Sequence, residues 1–134
     1  MLSSPERTDQ RVFSVDCFEL EIPAGSRSGK RWHMADEVLY VLSGSGYSLH
    51  WEVGAELDEK YYARIAKEPT RHEITAGDTL YVPQNTIAQH FSADGQPLRL
   101  LSGQNRLFKQ LGYDKVAYLE NAPEYEGLAE AVRV

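Results

Sequence analysis

The feature that most constrains this chain is a succession of short runs rich in Val, Leu, Tyr and Phe, separated by clusters of Gly, Pro, Asn and Asp. Runs of this length and spacing are typical of an all-β sandwich or barrel. Eight such runs favour a closed barrel or jelly roll, because closure removes exposed strand edges. The predicted strands are residues 12–22 with an interruption near Asp16, 31–34, 37–42, 46–53, 71–74, 79–82, 88–92 and 98–102.

One segment between the predicted strands has a different pattern. Leu57, Tyr61 and Ile65 recur at four-residue intervals, which predicts a short helix over residues 57–67. Pro69 would end such a helix. A strand around Tyr61 is the alternative that the same residues allow.

The C-terminal part of the chain is also expected to lie outside the strand pattern. Residues 105–111 carry apolar side chains on a helical stripe, and Gly112 follows where a helix favours a left-handed residue. Residues 113–134 are expected to form a tail that packs on a surface. The predicted organisation is a single domain made of an N-terminal segment (1–11), a barrel (12–102), and a C-terminal helix and packing tail (103–134).

The composition argues against two classes of partner. Fourteen basic against twenty acidic residues give a net charge of −6, with no long basic run, so we expect no nucleic-acid partner. No stretch approaches the roughly 18 apolar residues of a membrane span, so we expect no membrane partner. Cys17 is the single cysteine and cannot form an internal disulfide, which is compatible with the cytoplasmic location that we expect.

His33, Glu37 and Gly44, with a Gly upstream, stand at a spacing that resembles the first motif of the cupin superfamily. That motif runs from Gly to His, any residue, His, then three or four residues to Glu and six to Gly. Residues 77–85 resemble the start of the second motif, where Gly, five residues, Pro, one residue, and Gly or a substitute precede a final His. The resemblance covers roughly residues 12–102. It implies an all-β, cupin-type double-stranded β-helix, which is a jelly-roll barrel, and the short C-terminal helix and tail expected from the apolar pattern follow this barrel.

The chain departs from both motifs at a metal-binding place. Arg31 stands where the first motif has its first His, and Ala88 stands where the second motif has its His. In the family that the chain resembles, these two His, with the residues at the places of His33 and Glu37, commonly hold Fe, Mn, Ni or Zn. Neither a guanidinium nor a methyl group can be a ligand. Two of the four expected ligands are therefore missing.

His90 offers a partial replacement. It follows Ala88 by two residues, and alternate residues of a strand face the same side, so it is expected to point into the barrel. His33, Glu37 and His90 could then supply two His and one carboxylate, a ligand set that suits non-haem Fe(II). Because two strand residues span about 6.6 Å, His90 reaches the usual metal position only if the metal or the strand is shifted. The alternative, which we favour, is a barrel-lining histidine with a hydrogen-bond partner.

Arg31 has two interpretations, and both can hold. Its charge could neutralise Glu37 inside the barrel, because an unpaired buried carboxylate is costly and would otherwise take up a proton. Its guanidinium could instead hold the carboxylate of an acidic ligand through two hydrogen bonds. Either role requires that residue 31 points inward.

Three further residues are assigned to the inside or outside of the barrel. His50 is out of phase with the apolar residues of the predicted strand 46–53, and we place the apolar set inside. That apolar set is Tyr47, Leu49 and Trp51. His72 is expected to be a solvated residue before a strand. Trp32 alternates with its neighbour His33 and is expected in outer packing or a dimer contact.

The predicted strand 37–42 is apolar on both faces, apart from Glu37. A strand buried on both faces needs something to cover the outside of the barrel. The terminal segments could do so, or a second copy of the chain could, and a two-fold dimer is the commonest arrangement. We therefore expect a homodimer.

Three functions are compatible with these residues. The one we favour is a pocket that binds a small organic molecule, acidic or aromatic, through Arg31, His33, Glu37 and His90. The second is a divalent-metal-dependent enzyme of the dioxygenase or isomerase type, with His33, Glu37 and His90 as ligands and Arg31 as substrate anchor. The third is a non-catalytic dimerisation module with a vestigial pocket.

Overall fold

The computed structural model describes residues 15–57, 61–105 and 116–123, and these residues form ten β-strands. In chain order the strands are β1 (Val15–Ile22), β2 (Lys30–His33), β3 (Glu37–Ser43), β4 (Ser45–Leu57), β5 (Tyr61–Ile65), β6 (Thr70–Thr75), β7 (Thr79–Val82), β8 (Thr86–Ser92), β9 (Leu98–Asn105) and β10 (Val116–Glu120). Each of the eight predicted strands is present, although residues 12–14 lie outside the described part. The predicted interruption near Asp16 is wrong, because Asp16 pairs with Gln104 in an unbroken register.

The strands pair into two sheets, and every pairing among the described strands is antiparallel. The four-stranded sheet has the order β1-β9-β3-β7. The six-stranded sheet has the order β10-β2-β8-β4-β5, and β6 also pairs with β4. Because neighbours in a sheet are distant in the chain, the chain crosses repeatedly between the sheets, as in a jelly roll. The prediction of an all-β jelly-roll barrel is confirmed. The described residues contain no helix that could cross a membrane.

The prediction of a helix over residues 57–67 is wrong. β5 forms a hairpin with the end of β4, in which Leu57 is the backbone partner of Tyr61 and Val53 that of Ile65. The four-residue spacing therefore has two origins, because Leu57 and Tyr61 pair across the hairpin whereas Tyr61 and Ile65 are in phase on β5. A period read over one short segment does not distinguish either origin from a helix.

The C-terminal segment adds a strand to the six-stranded sheet. β10 pairs with β2, with Val116 opposite His33 and Tyr118 opposite Arg31. All five side chains of β10 are exposed. This part of the predicted tail is therefore an edge strand rather than a segment packed on a surface. The helix predicted over residues 105–111 lies outside the described residues apart from Asn105, which ends β9.

Glycine is required at the β3–β4 turn by the close approach of neighbouring backbone. Gly44 has a φ of +86°, and a Cβ on it would overlap the carbonyl oxygen of Pro97. A Cβ on Gly46 would overlap the carbonyl oxygen of Phe91. Asn85, at the Gly-or-substitute place of the second motif, has a φ of 57°, a conformation that Asn tolerates better than most residues. These positions fix the turns that join the two sheets.

The hydrophobic core lies between the sheets and is supplied mainly by the four-stranded sheet. Its apolar members are Ile22, Leu39, Val41, Ile74, Leu80, Val82, Ala88, Leu98 and Leu100. β3 alternates strictly, with Glu37 and its in-phase neighbours buried and the other set exposed. The exposed set is Val38, Tyr40 and Leu42. The described residues therefore do not cover the outer face of β3, and the two expected covers, the terminal segments and a second copy of the chain, both stay predictions.

Candidate functional site

Three strands carry the predicted site residues to the inner surface of the barrel. Arg31 and His33 lie on β2, Glu37 on β3, and His90 on β8. His33, Glu37 and His90 are only 3%, 1% and 2% exposed. Arg31 lies opposite Ala88, which is in phase with His90 on the buried inner side of β8. The barrel thus has a polar region beside its apolar core.

The Glu37 carboxylate has several partners. Arg31 Nη2 donates to Oε2 at 3.2 Å and to Oε1 at 3.5 Å. Ser102 Oγ and Gln104 Nε2 donate to Oε2 at 2.6 Å and 2.5 Å. Burial alone would raise the pKa of Glu37, but Arg31 and the two neutral donors outweigh burial and hold it below its ordinary value of 4.5. Glu37 is therefore an anion at neutral pH, and the Arg31 guanidinium matches its charge.

The His33 ring is held by a backbone carbonyl. Its Nδ1 lies 2.5 Å from the carbonyl oxygen of Ala35. Because a carbonyl oxygen can only accept, Nδ1 must carry the hydrogen. In the neutral ring, Nε2 then presents a lone pair, and this buried atom has no hydrogen-bond partner among the described residues.

His90 has hydrogen-bond partners on both sides of β8. Its Nδ1 is hydrogen-bonded to Ser48 Oγ at 2.9 Å, and its backbone N–H donates to Ser28 Oγ at 2.9 Å. Burial lowers the pKa of His90 to about 4, although the Glu37 charge opposes the shift. His90 is therefore neutral at pH 7, and its geometry matches a barrel-lining histidine with a hydrogen-bond partner.

His50 is a member of this polar region that the sequence assigned to the wrong face. It is 6% exposed and lies opposite Ala88, next to the place of the missing second-motif His. Burial is the main cause that lowers the pKa of His50 to about 4. His72 and His33 lower it further, whereas the Glu37 charge raises it. Its Nε2 atom is buried and has no hydrogen-bond partner in the described part of the chain. The prediction that the apolar residues of β4 line the barrel is therefore wrong.

The apolar residues of β4 face outward because other side chains cover them there. Tyr47 stacks on Phe91 with ring centroids 4.6 Å apart, and the Arg71 guanidinium lies 3.7 Å from the Tyr47 ring centroid. The Lys30 ammonium lies 4.1 Å from the Trp51 ring centroid. Aromatic rings covered by long cationic side chains are stable at a surface. Lys30 and Arg71 lie on β2 and β6, so no local sequence signal could have corrected the assignment.

His72 and Trp32 are the other two residues for which the sequence predicted a position inside or outside the barrel. The His72 ring is half-buried and its centroid lies 4.7 Å from that of His50, so the prediction of a solvated residue is wrong. Its backbone partner is Ser48, which places it on the inner side of β6. Trp32 alternates with His33 and donates from Nε1 to Asn85 Oδ1 at 2.7 Å, in agreement with outer packing.

The described residues do not fit the metal site of the family that the motifs resemble. Glu37 is engaged by Arg31 and two neutral donors, Nδ1 of His90 by Ser48, and Ala88 has no donor atom. No three His, Cys, Asp or Glu side chains in residues 15–57, 61–105 and 116–123 are grouped so that they could hold a metal ion. His33, Glu37 and His90 thus share the barrel interior without forming a ligand set.

Solved structures show what this architecture is similar to. A cupin-like protein from Thermotoga maritima MSB8 has a TM-score of 0.55 and 19% identity, over 85% of this chain and 71% of that one. Salicylate 1,2-dioxygenase from Pseudoaminobacter salicylatoxidans, as an adduct with gentisate, has a TM-score of 0.60 and 14% identity, over 80% of this chain and 24% of that one. An oxalate decarboxylase has a TM-score of 0.57 and 16% identity, over 79% of this chain and 24% of that one.

These likenesses are of structure rather than of sequence. The sequence matches no protein-family model, and it matches no curated protein. The chain spans about a quarter of the length of the dioxygenase and the decarboxylase. At such low identities a structural match is informative about the fold alone. The two motifs and the structural neighbours agree, and this chain has the cupin fold.

Proposed function

We propose that the barrel binds a small organic molecule in its polar region without the help of a metal ion. The observation that carries this proposal is the environment of Glu37. In a metal-binding barrel of this type the carboxylate needs a cation beside it, and here the Arg31 guanidinium supplies that charge at 3.2 Å. Ser102 and Gln104 satisfy further lone pairs of the same carboxylate. Glu37 is thus compensated by the chain itself.

The arrangement of the remaining groups supports a binding role. Small-molecule sites usually combine apolar walls with a few polar groups at defined positions. The apolar core borders the polar region here, since Ala88 belongs to the core and lies opposite both Arg31 and His50. The small side chain of Ala88 separates two large polar ones. The proposed ligand lies at this place, against Arg31, His33, Glu37 and His90.

Elemental analysis of protein purified without chelator or metal affinity resin tests the metal-free part of the proposal. We expect less than about 0.1 equivalent of Fe, Mn, Ni or Zn in the wild-type protein, also after incubation with each metal. The double variant Arg31→His/Ala88→His restores the two missing ligand places and is the matched control. We expect it to gain metal, provided that its fold is unchanged by circular dichroism.

The alternative function is the metal-dependent enzyme of the dioxygenase or isomerase type. It predicts about one equivalent of metal in the wild-type protein and its loss in both His33→Ala and His90→Ala. That result would overturn the metal-free proposal. The other alternative, a dimerisation module with a vestigial pocket, predicts that no small molecule in a screening panel raises the melting temperature.

We also propose that the chain forms a homodimer through the outer face of the four-stranded sheet. Val38, Tyr40, Leu42 and Tyr81 are exposed there, on the adjacent strands β3 and β7. A continuous exposed apolar surface of this kind is typical of an interaction site. We expect Tyr40→Glu to give a monomer in light scattering, and Tyr118→Glu on β10 to leave a dimer. A monomeric wild-type protein at high concentration would contradict the proposal.

Two further features of the proposal rest on composition alone. The net charge of −6 supports the absence of a nucleic-acid partner, and we also propose that no membrane is bound. A cytoplasmic location agrees with a single cysteine, because disulfides are rare in that compartment and one cysteine cannot form an internal disulfide. Cell fractionation would test the location directly.

A further inference from the structure

Two buried ring nitrogens in the barrel have no partner among the residues that the structure describes. They are Nε2 of His33 and Nε2 of His50. Both side chains are more than nine-tenths buried, at 3% and 6% exposure. Almost all buried polar atoms in proteins are hydrogen-bonded, because an unsatisfied buried polar atom destabilises the folded state. Two such atoms in one region therefore need an explanation.

The sheet register places His50 opposite Ala88 and His33 opposite Thr86, which is two residues from Ala88 on the same side of β8. His50 and Arg31 are the two cross-strand partners of Ala88, one on each side of β8. His33 is two residues along β2 from Arg31 and points to the same side. His33 also lowers the pKa of His50 and of His90 electrostatically, which agrees with side chains that face the same interior. Ala88 carries only a methyl group, and Thr86 is the other small side chain on this side of β8, so neither adds a large side chain between the two histidines.

The hydrogen bonds that each ring already makes determine which donors and acceptors a bound group needs. Nδ1–H of His33 is taken by the Ala35 carbonyl, so Nε2 of the neutral ring can only accept. Nε2 of His50 accepts in one tautomer of the neutral ring and donates in the other. A hydroxyl group satisfies both histidines when Nε2 of His50 carries the hydrogen, because the hydroxyl then donates its one hydrogen to His33 and accepts from His50.

The charges in the region disfavour an acidic ligand. The Arg31 charge is already matched by Glu37 at 3.2 Å, so the pair offers no net positive charge to an incoming anion. A carboxylate placed at His33 would direct its lone pairs at the Nε2 lone pair and would also meet the Glu37 anion. A carboxylate has no hydrogen to donate.

We propose that His33 and His50 form a binding site for the hydroxyl group of a neutral ligand, an alcohol or a phenol, over Ala88. The hydroxyl donates to Nε2 of His33, and its oxygen faces Nε2 of His50. This inference deepens the proposed function and rests on it. It replaces the acidic ligand that Arg31 alone predicted, and it makes His50 a ligand-binding residue.

The test uses three probes of the same shape: phenol, toluene and benzoate. Binding to the full chain is followed at neutral pH through the ring ¹⁵N and ¹³C signals of the four histidines. We expect phenol to shift the Nε2 signals of His33 and His50 and to bind about 10-fold or more tightly than toluene or benzoate, because a hydrogen-bonding site rejects an analogue that lacks the donor.

Variants distinguish the loss of a hydrogen bond to the ligand from a general effect on the barrel. We expect His33→Leu and His50→Leu each to weaken phenol binding by about 5- to 10-fold, the usual effect of one lost hydrogen bond, and to leave toluene binding within about 2-fold. Glu73→Gln, a change at an exposed residue of the same sheet, is the control and should alter phenol binding by less than about 2-fold. If one Leu variant does not fold, the wild-type ring shifts and the other variant still decide the question.

The remaining outcomes distinguish this inference from the function on which it rests. If benzoate binds most tightly and Arg31→Gln abolishes its binding, the metal-free pocket stands and the hydroxyl site is overturned. If phenol binds without moving the His33 and His50 signals, the hydroxyl site is likewise overturned, and the two nitrogens are satisfied by buried water. If no probe moves any histidine signal or the melting temperature, this inference fails together with the proposed pocket.

Discussion

The two sheets of the barrel present opposite inner surfaces. The four-stranded sheet is lined by aliphatic side chains and becomes polar only near Glu37, where Ser102 and Gln104 lie. The inner surface of the six-stranded sheet carries Arg31 and His33 with the buried polar residues of two further strands. Those residues are Ser48, His50, Thr86 and His90. One sheet supplies most of the core, and the other supplies most of the candidate site.

This difference between the sheets determines whether the hydrophobic pattern of a strand predicts which face points into the barrel. On β3 the buried set is Glu37, Leu39 and Val41, and the apolar members of that set are fully buried. On β4 the buried residues Ser48 and His50 are polar, and the apolar residues between them face outward. Alternation separates a strand into two sets. It identifies the inner set only where the interior next to that strand is apolar.

The largest expected effect is the loss of stability when an inner rather than an outer side chain of the four-stranded sheet is truncated. Leu100 is fully buried in the apolar core of the four-stranded sheet. We expect Leu100→Ala to lower the free energy of unfolding by about 4 kcal/mol, because it leaves a cavity in a packed region. Urea denaturation measures the change. The neighbouring Leu101→Ala, on the half-buried outer side, should lower it by about 1 kcal/mol, and equal losses would contradict the comparison.

Lowering the pH should destabilise the protein mainly through the histidines of the six-stranded sheet. His50 and His90 have pKa values lowered from 6.5 to about 4, so below pH 6.5 the unfolded chain takes up protons that the folded chain does not. The stability present above pH 6.5 is therefore lost as the pH falls towards 4, by about 3 kcal/mol for each histidine. The charged and titratable neighbours that act on His50 are His72, His33 and Glu37.

Denaturant titrations between pH 7 and pH 4 measure this loss. The lowered pKa of Glu37 acts with the same sign at still lower pH, because stability that is present above its unfolded pKa is lost as the pH falls through the folded pKa. We expect His90→Gln to reduce the slope of the free energy of unfolding against pH between pH 6.5 and 4. An unchanged slope would show that His90 is not kept neutral by the fold.

Breaking the ion pair should have the next largest effect. Arg31→Met leaves the buried Glu37 carboxylate without its cation, and we expect a loss of about 2 kcal/mol at pH 7. This is less than for a fully buried pair, because the Arg31 side chain retains 20% exposure. The second change in Arg31→Met/Glu37→Gln should restore most of the lost stability. No restoration would mean that Arg31 acts through packing rather than through charge.

The smallest expected effect is at His50. His50→Leu removes a buried nitrogen that has no partner in the described part of the chain and replaces the ring with an aliphatic side chain. We expect the free energy of unfolding to remain unchanged or to rise by about 1 kcal/mol in the absence of ligand. Thermal denaturation at pH 7 is sufficient to detect it. A loss of more than about 2 kcal/mol would place a tightly held water or ion at this nitrogen.

The positions of the strands could be predicted from the sequence because local chemistry determines them. Gly44 and Gly46 are needed where backbones approach closely, and Asn85 tolerates a left-handed turn. Between such turns, runs of β-branched, aliphatic and aromatic residues form strands whatever they later pair with. The inward direction of Glu37 also followed from the sequence, since it alternates in phase with Leu39 and Val41.

Only the tertiary structure decided which residues share the interior and what satisfies them. The partners of Glu37 on β9 are 65 and 67 residues away in the chain, and no local pattern connects them. The direction of His50 depends on its place beside Ala88 of β8, and the strand at Tyr61 depends on pairing with the end of β4. Sequence periodicity specifies the two faces of each strand, whereas the pairing of distant strands determines which face becomes the inside and which charges meet there.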